Sequence, residues 1–114
     1  MPNPSSSKAQ VKAVAPKLFE MIEDTVYGDL WNRPGLSRRD RSLITLAALI
    51  AMRQTQQMRS HFEKAIDHGV TADEIGELVT HLSIYAGFPA AISASLVAKP
   101  LLLELGLIHE EMVP

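Results

Sequence analysis

The stretch HGVTADEIGELVTHLSIYAGFPAA, residues 68–91, decides how the chain folds. Gly69 can end one helix, and Thr71-Ala72-Asp73-Glu74 opens the next as a capping box. Apolar residues then recur at helical spacing at Ile75, Leu78, Val79, Leu82 and Ala86. Gly87-Phe88-Pro89 stops this helix and starts another, because proline suits a first helical turn. His81 and Tyr85 sit four residues apart near the end, so a helix stacks them on one face.

The same reading extends outward. Residues 1–10 are rich in Pro and Ser and are expected to be a disordered lead-in to a single domain over 11–114. A helix is expected from Val11 to Tyr27, closed by Gly28, with Leu18, Met21, Ile22 and Val26 near one side. Pro34-Gly35 marks a loop. Ser37 can cap a helix that from Leu43 onward is apolar nearly all round, as expected of one buried on most sides. A further helix runs from Thr55 to Gly69 with Met58, Phe62, Ala65 and Ile66 inward. After Pro89, Ala and Ser residues make a smooth packing face, and Pro100 is expected to kink or break the helix. No stretch reads as a strand. The expected class is all-α, a bundle of about five or six helices.

Composition narrows the function. The 114 residues carry a net charge of −2, which gives no basic excess for nucleic acid. The longest apolar run is too short to span a bilayer, and no apolar leader opens the chain, so a cytoplasmic location is expected. There is no cysteine, which removes thiol nucleophiles, disulfides and cysteine metal sites.

Two polar stripes flank the apolar faces. Glu77, His81 and Tyr85 lie at i, i+4 and i+8 on one helix; Gln54, Gln57, His61 and His68 flank the face of the preceding one. Facing each other, they could form opposite walls of a pocket. Proton chemistry is one reading: His81 or His61 as acid or base, Glu77 orienting His81, Tyr85 donating to an oxyanion. The other reading is boundary residues held by ordinary hydrogen bonds. His61 and His68 are about 10 Å apart in helical rise and cannot share an ion, so no metal site is expected. Arg38, Arg39 and Arg41 follow Trp31 and Arg33. They read either as surface charge or as a carboxylate-binding mouth, to which Arg53 could add.

WNRPGLSRRDRSLITLAALIA, HGVTADEI and YAGFPAA together resemble the carboxymuconolactone decarboxylase family, over about Leu18 to Leu105. The resemblance implies an alkylhydroperoxidase D-like helical subunit that assembles into a homo-oligomer, a trimer or hexamer. One branch of that superfamily carries Cys-x-x-Cys-x-x-x-His; here the matching spacing reads Gln54, Gln57 and His61, which excludes thiol peroxidase chemistry. The decarboxylase branch implies a reaction without cofactor on a small carboxylated lactone. Arg39, Arg41 or Arg53 would then hold carboxylate and His61 or His81 would supply the proton. Tyr85 would assist at the oxyanion, with Trp31, Gln57 and Phe88 as further substrate-binding candidates. The alternatives are another proton-transfer enzyme on this scaffold, or a non-catalytic ligand-binding oligomer.

Overall fold

A computed structural model describes residues 7–110. Every regular element among them is helical: α1 (Ser7–Val14), α2 (Pro16–Met21), a π-helical turn (Ile22–Tyr27), a 3-10 turn (Leu30–Asn32), α3 (Arg38–Ala51), α4 (Thr55–Asp67), α5 (Ala72–Tyr85) and α6 (Phe88–Glu104). The chain divides into two compact units, Met1–Arg38 and Arg39–Pro114, where the sequence reading treats 11–114 as one domain.

In the first unit the single helix expected over Val11–Tyr27 is three pieces. Pro16 disfavours helical backbone at the residue before it, and Ala15 accordingly sits at φ −135°, ψ 74°. Helix also begins earlier than expected: Ser7–Gln10, assigned to the lead-in, lie in α1, and residues 1–6 of that lead-in fall outside the described residues. Beyond Met21 the backbone widens into the π-helical turn, and Gly28 closes it. A Cβ at Gly28 would lie 2.6 Å from the Asp24 carbonyl oxygen, so only glycine fits. The Asn32 side-chain amide donates to the carbonyls of Tyr27 (3.1 Å) and Gly28 (3.3 Å), supplying partners that the helix end lacks. Trp31 stacks on Tyr27 with ring centroids 5.9 Å apart and is buried.

The second unit is built around α6. Its small-residue face (Ala90, Ala91, Ala94 and Ala98) is buried, which lets α4 and α5 approach closely. Phe62 and Met58 from α4, Ile75 and Val79 from α5 and Leu101 from α6 fill the core with Leu46 and Ile50 from α3. The capping box at α5 forms as read. The Glu74 N–H donates to Thr71 Oγ1 (3.1 Å), and the Thr71 N–H donates to Glu74 Oε1 (3.0 Å).

Two expectations are corrected here. Of the kink or break expected at Pro100, the break does not occur, since α6 runs on to Glu104. Both Pro100 and Leu96, whose carbonyl loses its donor, are exposed, so water can take the missing bond. Nor is α3 buried on most sides. Its buried line is Ser42, Leu46 and Ile50, while Ile44 and Ala48 are exposed at the same spacing, as is Met52 just past the helix end. An apolar run longer than one face cannot be covered by a single packing surface.

Gly87 sits at φ 101°, ψ 149°, close to a region of backbone space reserved for glycine, and this conformation turns α5 directly into α6. Gly87→Ala is therefore expected to lower the unfolding free energy by about 1–3 kcal/mol in chemical denaturation. A change below about 0.5 kcal/mol would contradict this account of the turn.

Candidate active site

The site is assembled from two helix faces of the second unit. On α5, Glu74, Glu77, Leu78 and His81 follow one another at steps of three, one and three residues, which is one side of a helix. On α3, Arg39 and Leu43 stand one turn apart. Together these six residues line an open groove of about 530 Å³, a size suited to a small metabolite. A second hollow of about 330 Å³, beside α5 and α6, is walled by apolar residues such as Ile75, Val79 and Leu102. Its one charged lining residue is Lys99, which pairs with Glu110 at 3.1 Å. Of these two, the groove is the one that combines an arginine, carboxylates and a histidine.

Arg39 is held from the far side of the groove. Its Nη2 donates to Glu74 Oε2, while the other oxygen of Glu74 is occupied by the helix cap. Both side chains stay partly exposed, at 35% and 41%. One turn along α3, Ser42 is buried and its Oγ lies 2.8 Å from Nδ1 of His68, the C-cap of α4. This bond ties the first turns of α3 to α4 and so seats Arg39. The sequence reading gave Ser42 no role and saw Glu74 only as a cap. The usable signal for Ser42 was a hydroxyl on the same line as Leu46 and Ile50, since a buried polar group needs a partner.

The residues singled out from sequence separate into those the groove gathers and those it does not. Arg39, Glu77 and His81 line it. Tyr85 stacks on His81, with ring centroids 4.9 Å apart, but is 77% exposed and is not part of the lining. The wall opposite α5 is α3, not the stripe on α4. Gln57 is exposed on α4 and His61 is half-buried there. Arg41 is half-buried two residues beyond Arg39, about 200° around α3. Arg53 links α3 to α4, exposed, with φ 58°. Trp31 belongs to the first unit, and Phe88 opens α6 with 64% of its surface exposed. Among the described residues no three His, Asp or Glu side chains gather as a metal site would require, and no helix is long and apolar enough to cross a membrane.

Comparison with known proteins fits this architecture. The model of the carboxymuconolactone decarboxylase family matches residues 16–100. The chain belongs to this family. Similar proteins include a 4-carboxymuconolactone decarboxylase of Acinetobacter baylyi, 41% identical over 91 residues (80% of this chain and 68% of the relative). A nitrosuccinic acid decarboxylase of Metarhizium robertsii is 40% identical over 80 residues, which are 70% of this chain and 56% of that protein. An uncharacterised 15.0 kDa protein of Paracoccus denitrificans is 30% identical over 94 residues, 81% of this chain and 69% of its own. The matched parts of the two decarboxylases thus span about two thirds and just over half of their lengths.

His61 differs electrostatically from a solvated histidine. Burial, and secondarily the Lys64 charge one turn away, push its pKa below the ordinary value. The unfolded chain then binds this proton more readily than the folded one. The stability linked to His61 is full above about pH 6.5 and is lost as the pH falls through the folded-state pKa. Denaturant titrations at about pH 7.5 and about pH 5.5 are expected to show a smaller acid loss in His61→Gln than in the wild type. Equal losses would contradict this electrostatic reading of His61.

Proposed function

We propose that the protein is a cofactor-independent decarboxylase of a small dicarboxylic acid, with the groove between α3 and α5 as its active site. The observation that carries the reading is the meeting of Arg39, Glu77 and His81 in one groove. Their kinds match what the reaction demands.

The substrates named for the two decarboxylase relatives share a chemical feature. 4-Carboxymuconolactone carries two carboxylates on an unsaturated lactone. Nitrosuccinic acid carries two carboxyl groups and a nitro group. In each, the carbon–carbon bond to one carboxylate can break so that its electron pair passes into a neighbouring acceptor, the unsaturated lactone or the nitro group. The electron sink is part of the substrate. The protein's tasks are to hold the spectator carboxylate, stabilise the delocalised anion and return a proton to carbon. Arg39 suits the first task, because a guanidinium fork matches a planar anion. His81 suits the last, as a proton carrier on the facing helix. Glu77, one turn before His81, is placed to orient it, and Tyr85 backs the imidazole ring.

The reading includes a homo-oligomer, a trimer or hexamer. Phe88, Ile92 and Leu96 form an exposed apolar line along α6 at 64%, 58% and 70% exposure, and Ile84 near the end of α5 is exposed at 73%. Apolar surface of this kind supports burial against further copies. Leu96→Glu is expected to shift the sedimentation equilibrium toward monomer; unchanged assembly would remove this line from the interface.

The function is tested by following the ultraviolet absorbance of 4-carboxymuconolactone, and carbon dioxide release from nitrosuccinate, with purified protein and no added cofactor. Turnover of at least one is expected. Arg39→Gln and His81→Gln should each lower kcat/KM by at least about 10²-fold. Near-intact turnover in His81→Gln would remove that residue as proton donor, and a folded wild type inert toward both acids would overturn the decarboxylase reading for these substrates.

A further inference from the structure

The groove contains a carboxylate already bound to the arginine assigned to the substrate. Arg39 donates through Nη2 to Glu74, and Glu74 is fixed from behind because its other oxygen accepts the Thr71 N–H at 3.0 Å. Its position is thus set by the helix cap as well as by Arg39. Around it, the charged groups facing the groove are Arg39, Glu74, Glu77 and, when protonated, His81. Counting His81 as uncharged, one positive and two negative groups give the lining a formal charge of −1. A dicarboxylate entering this space meets one full cation, and that cation is already paired: its Nη2 with Glu74 across the groove, its Nη1 more loosely with Asp40 on its own helix at 3.7 Å.

We infer that Glu74 is a built-in competitor for the substrate's spectator carboxylate: it occupies Arg39 in the empty groove, and its charge sets how tightly a carboxylated ligand binds. The inference rests on the groove being the substrate site. Glu74 is a specificity-determining residue in this account and not a catalytic one. A ligand carboxylate must share or displace the Arg39–Glu74 pair, so apparent affinity is reduced by the fraction of Arg39 held by Glu74. Both partners are partly exposed, so the pair is weak enough to be exchanged. The arrangement favours ligands with a second anchoring group over simple monocarboxylates, which gain little from trading one carboxylate for another.

The test is calorimetric titration with succinate, a dicarboxylate that lacks the electron sink and is not turned over. Glu74→Gln keeps a side-chain oxygen to accept the Thr71 N–H, so the cap and the fold are retained, as a thermal melt would verify. It is expected to bind succinate about three- to tenfold more tightly than the wild type. Glu74→Asp keeps the charge at the helix start but is one methylene shorter, which withdraws it from Arg39; it should tighten binding to a smaller degree. Arg39→Gln should weaken binding at least about tenfold. If Arg39→Gln weakens binding while neither Glu74 variant tightens it, the competition is overturned and the groove assignment stands. If Arg39→Gln leaves succinate binding unchanged, or the wild type binds none, the groove assignment fails and the competition fails with it.

Discussion

A single carboxylate joins the local and the tertiary structure of this protein. Glu74 closes the first turn of α5 through one oxygen and reaches Arg39 at the start of α3 through the other. Without the first contact α5 keeps the bond from the Glu74 N–H to Thr71 Oγ1 but loses the reciprocal half of its capping box. Without the second, the groove loses a charged link between its two walls. Helix α3 is otherwise anchored by Leu46 and Ile50 in the core and by the Ser42–His68 bond, all of which lie farther along the helix than Arg39. The backbone of the arginine is thus seated from one turn away, while its side chain is held by Glu74 across the groove and by Asp40 beside it at 3.7 Å.

This explains which features could be read before the structure. The Thr71–Glu74 cap and the Gly87 turn were legible because their causes are local: hydroxyl, carboxylate and missing Cβ act within four residues. The His81–Tyr85 stack was legible for the same reason. Pro16 carried an equally local signal, a disfavoured helical Ala15, and the reading of one helix over Val11–Tyr27 passed over it. The groove was legible only by halves. Spacing placed Glu77 and His81 on one edge of α5, but nothing in that spacing says which helix stands opposite. The reading set the polar stripe on α4 opposite, and the structure puts Arg39 and Leu43 of α3 there instead. Helix pairing depends on which apolar faces fill the core together, and the alanine face of α6 draws α4 and α5 to itself.

The exposed lines on α3 and α6 have a related origin. A chain this small has little interior, yet 46% of its residues are hydrophobic. Ile44 on α3, Met52 just past its end, and Phe88, Ile92 and Leu96 on α6 exceed what one core can take. Apolar content told of the excess; only the structure says which residues carry it. Family membership explains the fold by descent, while the reaction has to be argued from Arg39, Glu77 and His81, because one scaffold can serve several chemistries.

The most direct test of the central claim is a crystal structure of the protein with succinate bound. The account predicts succinate in the groove between α3 and α5, one carboxylate on the Arg39 guanidinium and the remainder of the ligand reaching toward His81. Succinate held instead beside His61 and Gln57 on α4, with Arg39 still closed on Glu74, would contradict it.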